Sequence, residues 1–207
     1  MPLDIPYHRL HSQDIAAPDF DTPADVVRSL GAMQGQDFLG ALWAIGMRMR
    51  NAVESDVESA VIDKSIVRLW FMRGTLHFLA AEDVRWMNDL ISPRLKLVTE
   101  NGMRYQRAEL DAKIMTKALD IVAKALDGAQ RTREELATAL EQGGIPADGF
   151  RLSFIMQQAQ SNSLVCHGAR RGKQFTFALM DDWIPPTPKK DRETALVDFA
   201  RRYFTGH

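Results

Sequence analysis

Two carboxamides and one carboxylate, Gln34, Gln36 and Asp37, surround a glycine at a break between two segments of helical apolar spacing. A carboxamide oxygen accepts hydrogen bonds, for example from water, and its NH2 group donates to oxygen atoms of a ligand. Asp37 has two interpretations: it caps the following helix by accepting from backbone N–H groups, or its charge stabilises a cation at a site. These three side chains therefore form the candidate site.

Spacing determines whether the two glutamines can act together. Residues two apart point roughly 200° apart around a helix, but to the same side of an extended chain. The glycine between them, Gly35, permits the chain to open, because glycine has the widest backbone freedom. We therefore expect an extended segment in which Gln34 and Gln36 line one cavity, beside a β-hairpin that turns at Arg73.

The segments around the glutamines predict three helices followed by a hairpin. Thr22, followed by a proline, is a typical helix start, and Asp37 and Ser55 can cap two further helices. Apolar, β-favouring residues then form two short strands. These elements are predicted at residues 23–33, 38–50, 55–62, 66–71 and 75–79. This order is typical of a winged helix, in which Trp43 and Trp70 are predicted to belong to the core.

The same order recurs in the second half. A long connecting helix is predicted at residues 82–101, and Thr132 with Glu135 forms a capping box further on. The remaining helices are predicted at 109–126, 132–143 and 150–162, and the strands at 164–167 and 174–179. The sequence therefore predicts a mainly α fold with small β-hairpins, arranged as tandem winged-helix domains.

The two repeats define the expected domains. We expect a first winged-helix domain, with the candidate site, at residues 1–100 and a second at residues 101–182. Residues 183–207 are predicted to be a proline-rich linker and the first helix of a further C-terminal region, because prolines stop regular structure. One side of that helix is apolar and needs a partner.

Composition excludes several kinds of site. A single cysteine, Cys166, excludes an internal disulfide and a multi-cysteine zinc site, and favours a reducing, cytoplasmic setting. Apart from His8 and His11, no histidines have the close spacing of metal ligands, so we expect neither a metal nor a cofactor. No apolar run approaches the length of a membrane span, and no membrane association is expected.

Charge is unevenly distributed along a chain whose net charge is −1. Residues 151–180 contain four basic and no acidic side chains, including Arg170, Arg171 and Lys173 at the predicted tip of the second hairpin. Residues 54–63 contain four acidic and no basic side chains. Both segments are interpreted equally well as binding surfaces and as solvated faces of unrelated elements.

Several spaced segments resemble the AlkZ-like winged-helix DNA glycosylases. They lie at residues 30–37, 41–44, 73–77, 170–173 and 200–204, in the family's order. The family's catalytic Gln-x-Gln signature maps to Gln34 and Gln36, although its middle residue is usually larger and apolar rather than glycine. The family's Thr-His element on a DNA-contacting hairpin maps to Thr75 and His77, next to Arg73.

This resemblance implies a monofunctional DNA glycosylase that removes alkylated bases from duplex DNA, in a nucleoid-associated cytoplasmic protein without a cofactor. An alkylated purine is already cationic and leaves as a neutral base, so a strong general acid is not required. Gln34 and Gln36 would then place a water for attack at C1′. DNA contacts are assigned to Arg73, Thr75 and His77, and to the basic tip formed by Arg170, Arg171 and Lys173.

Two other functions stay open. A non-enzymatic winged-helix regulator would bind duplex DNA through the basic tip and the polar end of the helix at residues 150–162. A protein-interaction module would fit the near-zero net charge. Pocket shape sets base specificity, and no motif specifies either that shape or the oligomeric state.

Overall fold

The computed structural model describes residues 4–100 and 109–206, with the backbone alone at residues 98–100. The described chain is mostly helical and contains two small antiparallel sheets. The helices are α1 Ile5–Ser12, α2 Pro23–Ser29, α3 Phe38–Gly46, α4 Glu54–Ile62, α5 Ala81–Glu100, α6 Ala112–Leu126, α7 Arg133–Gln142, α8 Gly149–Ser161, α9 Met180–Trp183 and α10 Arg192–Gly206. The strands are β1 Met33–Gln34, β2 Ile66–Trp70, β3 Leu76–Ala80, β4 Arg131–Thr132, β5 Val165–His167 and β6 Thr176–Leu179.

Each half repeats one order of elements: helix, short strand, two helices and a hairpin. The hairpin β2–β3 pairs with β1 in the sheet order β1-β3-β2, and the hairpin β5–β6 pairs with β4 in the order β4-β6-β5. This confirms the predicted mainly α fold with small β-hairpins. The expected start of the second domain, residues 101–108, lies outside the described residues.

Local capping signals predicted three of the helix starts correctly. The Thr22 side chain accepts from the backbone N–H of Asp25 at 3.2 Å at the start of α2. At the start of α7, Thr132 and Glu135 form the predicted capping box, with bonds of 3.3 and 2.7 Å. Asp37 caps α3. Each cap satisfies backbone donors that the first turn of a helix leaves without partners.

The cap predicted for α4 was wrong. Ser55 lies inside this helix, and Val53 is the residue that precedes it. The backbone N–H of Val53 donates to the carboxylate of Asp56 at 2.9 Å. The acidic first turn therefore reaches back to the start of the helix, and no serine hydroxyl is needed there.

Three apolar clusters hold the described residues together. One joins α2, α3 and α4 to one face of the first sheet, and a second joins α6, α7 and α8 to the second sheet. The third cluster contains Val67, Leu69 and Phe71 of the first hairpin segment together with Cys166 and Ala178 of the second hairpin. The two hairpins therefore share a core, which fixes the two halves against each other.

The last helix, α10, packs onto the first half. Ala195 is buried, and the Phe199 ring makes an edge contact with Phe71 at 5.7 Å between ring centroids. Arg202 forms an ion pair with Asp83 at the start of α5. Ala195 and Phe199, on the apolar side that we expected to need a partner, therefore have one within the described residues, whereas Leu196 and Tyr203 of that side are exposed.

Candidate functional site

Gln34 and Gln36 lie on either side of the last backbone pairing of the first sheet. Gln34 is opposite His77 in the pairing of β1 with β3. The Gly35 N–H donates to the Leu76 carbonyl at 2.8 Å, and the Gln36 Oε1 accepts from the Leu76 N–H at 3.1 Å. The Gln36 carboxamide oxygen therefore accepts from Leu76 as a backbone carbonyl of a paired strand would, directly after the end of β1.

The two glutamines line different cavities. Gln36 lines a cavity of about 460 Å³, called the central cavity below. Gln34 lines a smaller one, of about 150 Å³, beside Leu30, Arg48 and the end of α10. The expectation that both side chains share one cavity was therefore wrong. Because Leu76 holds the Gln36 side chain against the end of β3, Gln36 does not continue in the direction of Gln34.

Gly35 is needed for close packing rather than for an unusual backbone. It is not among the described glycines with a positive φ. A Cβ at this position would lie 2.9 Å from the ring of Phe78, which is fully buried. The sheet and the aromatic core therefore meet at Gly35 with no space for a side chain.

Asp37 acts as the cap of α3. Its Oδ1 accepts from the Gly40 N–H at 3.2 Å. The side chain is exposed and does not line the central cavity. This confirms the capping interpretation, and a direct electrostatic role for Asp37 stays a prediction.

The central cavity lies between the two hairpins and the start of α7. Its volume is in the range of ligand sites in proteins. The lining residues are Gln36, Arg68, Trp70 and Leu76 from the first half and Thr132, Arg133, Glu134, His167, Lys173, Gln174, Phe175 and Phe177 from the second. Both halves of the fold are therefore needed to form it.

One wall of the central cavity is aromatic. The rings of Trp70 and Phe177 are nearly parallel, at 20° and 6.1 Å between centroids, and His167 lies 4.5 Å from Phe177 and 5.0 Å from Trp70. Such a wall suits a flat ring, because every nucleobase has a π face. Trp70, predicted to belong to the core, is half-buried: it packs against the apolar cluster of the second half and also lines this wall.

The prediction that Trp43 belongs to the core was wrong. It is 71% exposed on α3, whereas Leu42 and Ile45 of the same helix are buried. The helix is apolar on more than one side, so periodicity alone could not tell which face lies inside.

His167 and Arg68 were missed by sequence reasoning. Burial, together with a smaller contribution from the nearby Arg68 charge, lowers the pKa of His167 to about 3, so the imidazole is neutral near pH 7. Arg68 is 4% exposed and donates from Nε to the Gly35 carbonyl at 2.9 Å. The only available signal for Arg68 was one cation within an apolar strand, which alternation places on the face opposite Val67 and Leu69.

The turn of the first hairpin exposes one of its three predicted DNA-contact residues. Arg73 is exposed and has φ = 58°. The Thr75 hydroxyl donates to the Met72 carbonyl at 3.1 Å, and His77 is 2% exposed with Nδ1 3.0 Å from the Thr75 carbonyl. Burial lowers the pKa of His77. Thr75 and His77 therefore hold the turn from inside, and the DNA-contact roles of all three residues stay predictions.

The basic tip of the second hairpin is largely engaged by acidic side chains. Arg170 is 20% exposed at its side chain and lies 3.6 Å from a Glu58 carboxylate oxygen on α4. Arg171 pairs with Glu135 at 2.7 Å. Lys173 is exposed and lines the central cavity. The basic segment thus meets the acidic segment at 54–63 across the fold, and the three basic residues do not form one exposed patch.

One side chain from the polar end of α8, Gln160, is turned inward, whereas Asn162 is exposed. Gln160 is 1% exposed; its Oε1 accepts from the Trp70 N–H at 2.8 Å and its Nε2 donates to the Trp70 carbonyl at 2.6 Å. The Asn88 side chain on α5 donates to the Gln160 carbonyl at 3.1 Å. This end of α8 clamps the edge strand β2, so Gln160 is not available to a DNA groove in this structure.

Within residues 4–100 and 109–206, no group of three or more His, Cys, Asp and Glu side chains could hold a metal ion. In the same part of the chain, every helix is too short or too polar to cross a membrane.

Comparison with known proteins gives a consistent family. A family model described as DNA glycosylase AlkZ-like matches residues 27–207. The chain is 26% identical over 196 residues to an interstrand DNA cross-link repair glycosylase of Streptomyces sahachiroi, covering 87% of this chain and 51% of that protein. The solved structure of the Streptomyces sahachiroi DNA glycosylase AlkZ matches with a TM-score of 0.74 at 23% identity, covering 96% of this chain and 55% of that chain. This chain spans about half the length of these relatives.

Proposed function

Because the chain belongs to the AlkZ-like DNA glycosylase family, we propose that the protein hydrolyses the bond between an alkylated base and its deoxyribose in duplex DNA. The two repeats of helices and hairpins are, in this proposal, tandem winged-helix domains that present DNA to the central cavity. We choose alkylated bases as the substrate class because such a base leaves without protonation, so the site needs no general acid.

The proposal rests mainly on the central cavity. An enzyme that acts on the bond at C1′ takes the target nucleotide out of the base stack, and the extruded nucleotide needs a pocket with flat apolar walls. The central cavity offers the aromatic wall of Trp70, His167 and Phe177, with the carboxamide of Gln36 at its lining. Both features lie at the junction of the two hairpins.

Gln36 is the residue we propose to position the attacking water. Its Oε1 accepts one hydrogen bond from Leu76, and a carbonyl oxygen has a second lone pair that can accept from water. The bond to Leu76 fixes the oxygen before substrate arrives, so less entropy is lost when the water is placed. The Gln36 Nε2 can donate to a sugar or phosphate oxygen of the same nucleotide.

Gln34 has a different position and stays a proposed catalytic residue of the Gln-x-Gln signature. It reaches the central cavity only if the segment around Gly35 rearranges when DNA binds. We therefore expect base release to depend more strongly on Gln36 than on Gln34.

The proposed DNA contacts follow the exposed cations. Arg73 and Lys173 are exposed on the two hairpin segments and suit phosphate oxygens. Thr75 and His77 support the Arg73 turn from inside, and Arg170 and Arg171 would reach DNA only by leaving their acidic partners. A cytoplasmic, nucleoid-associated location follows from a DNA substrate and stays a prediction.

Base release from alkylated duplex DNA tests the proposal. The full-length protein, its Gln36→Ala and Gln34→Ala variants, and a Gln142→Ala control at an exposed position of α7 are assayed for alkali-sensitive abasic sites. We expect release by the wild type and the control, and a loss of about 100-fold or more in Gln36→Ala, which is within what positioning a reactant contributes. DNA binding with every base left intact would instead favour a non-enzymatic DNA-binding protein.

A further inference from the structure

Arg68 is a buried cation with no acidic partner among the residues that the structure describes. It lies in the lining of the central cavity and is 4% exposed. Burial lowers its pKa to about 10, which still leaves the guanidinium charged near pH 7. A buried charge without a counter-charge is unfavourable, so an arrangement of this kind favours an anionic ligand.

The geometry of Arg68 leaves donors for such a ligand. Nε donates to the Gly35 carbonyl at 2.9 Å, and Nη2 lies 3.4 Å from the Gln36 carbonyl. The guanidinium carbon, Cζ, lies over the Phe175 ring at 4.2 Å from its centroid. Three of the five N–H groups of an arginine remain, and the fixed planar fork matches two oxygens of a phosphate.

The charged side chains around the central cavity are mostly positive. Its lining contains Arg68, Arg133 and Lys173 against one acidic residue, Glu134. His167 adds no charge, because burial keeps it neutral. The Glu134 carboxylate accepts from Gln174 Nε2 at 3.3 Å and keeps its charge, so three cations face one anion. The field inside the cavity therefore attracts anions.

A cationic alkylated base would be repelled by this field if it entered alone. A phosphate group at Arg68 removes the conflict, because it neutralises the guanidinium and places negative charge beside the base. The aromatic wall then holds the base, and Gln36 stays next to the sugar. Charge compensation by the DNA backbone therefore makes one cavity compatible with both Arg68 and a cationic substrate.

We infer that the central cavity contains a phosphate subsite, in which Arg68 binds a phosphodiester group of the extruded nucleotide while Trp70 and Phe177 contact its base. This inference rests on the proposed function, since it takes the nucleotide to be part of DNA. The chemistry, an arginine fork on phosphate oxygens, is common to DNA and to free phosphate, so the experiment must separate these two sources.

The first test compares a labelled single-stranded tetranucleotide with the same probe carrying an uncharged methylphosphonate at its central linkage. Fluorescence anisotropy gives Kd for the full-length protein, for Arg68→Gln, and for Arg94→Gln as a control at an exposed position of α5. We expect the wild type and the control to bind the charged probe about tenfold more tightly, in line with one charge-assisted hydrogen-bonded contact. In Arg68→Gln we expect the two probes to bind equally. An unchanged preference in folded Arg68→Gln would overturn the inference.

Two further measurements complete the test. If Arg68→Gln does not fold, the Tm of the wild type is measured with each probe; a larger rise with the charged probe supports the subsite, and equal rises overturn it. Inorganic phosphate is then added as competitor. Displacement of the tetranucleotide by an equal concentration of inorganic phosphate would overturn the assignment to DNA, whereas its persistence supports it.

The outcome is separable from that of the proposed function. If Arg68→Gln loses the preference for the charged probe but the wild type releases no base, the phosphate subsite is supported and the glycosylase proposal is refuted. If the wild type releases the base but Arg68→Gln still prefers the charged probe, the glycosylase proposal is supported and the phosphate subsite is refuted.

Discussion

The amide clamp formed by Gln160 gives the sharpest prediction about the fold around the central cavity. Replacing Gln160 by leucine keeps the side-chain volume but removes both hydrogen bonds to Trp70, at 2.8 and 2.6 Å. β2 is an outer strand of its sheet, and the Trp70 N–H and carbonyl have Gln160 as their partner at its end. The site is 1% exposed, so water cannot easily replace the amide.

The expected loss follows from two backbone groups left without partners. Each unsatisfied buried donor or acceptor costs about 1–3 kcal/mol, and Trp70 is only half-buried, so we expect the free energy of unfolding to fall by about 2–4 kcal/mol. Gln158→Leu, at a half-buried position of the same helix, serves as the control. It should change that free energy by less than about 0.5 kcal/mol.

Urea unfolding followed by far-UV circular dichroism and by tryptophan fluorescence measures this loss. The fluorescence signal reports on the surroundings of Trp70 in addition to global unfolding. A loss in Gln160→Leu no larger than that of the control would refute the role of the clamp. A large loss in both variants would show that α8 is sensitive to any leucine rather than to the missing amide.

Three further predictions concern single residues. Burial lowers the pKa of His167 from 6.5 to about 3, so the unfolded chain binds a proton at this histidine at a higher pH than the folded chain does. The free energy of unfolding should therefore decrease as the pH falls from 6.5 to about 3. In urea titrations, His167→Phe should reduce the pH dependence of that free energy by about 1.4 kcal/mol per pH unit. Gly35→Ala should lower the free energy of unfolding by about 1–3 kcal/mol, because its Cβ would overlap the Phe78 ring at 2.9 Å. Gly46→Ala, whose Cβ meets only Val57 at 3.9 Å, should have little effect, and equal losses in the two alanine variants would contradict the packing argument. Trp43→Ser should leave Tm nearly unchanged, because this side chain is 71% exposed; a large fall in Tm would show that Trp43 belongs to the core.

Elements set by local chemistry could be predicted from the sequence. The caps at Thr22, Asp37 and Thr132 depend on residues within one helical turn, and all three are confirmed. The first hairpin follows from alternation of apolar residues and a tight turn, and it too is confirmed. The family, identified from spaced motifs, is confirmed by the match over residues 27–207.

Features that depend on distant residues could not be predicted. The central cavity brings Arg68 against Phe175, more than 100 positions later in the chain, and no local pattern specifies that meeting. The same holds for Gln160: the sequence is compatible with a solvated helix end, but its side chain bonds to the backbone of Trp70 in β2, 90 positions earlier. Gln34 and Gln36 diverge because Leu76 bonds to the residues that follow Gln34. The Leu76 carbonyl accepts from the Gly35 N–H, and the Leu76 N–H donates to the Gln36 side chain. Residue spacing in the sequence does not specify this pairing.

A crystal structure of the full-length protein bound to duplex DNA, with one uncleavable analogue of an alkylated nucleotide, tests the central claim most directly. We expect the analogue to be extruded into the central cavity, with its base against Trp70 and Phe177, its sugar next to Gln36 and a phosphate on Arg68. An analogue that stays stacked in the duplex, or that enters the cavity lined by Gln34 instead, would contradict the account.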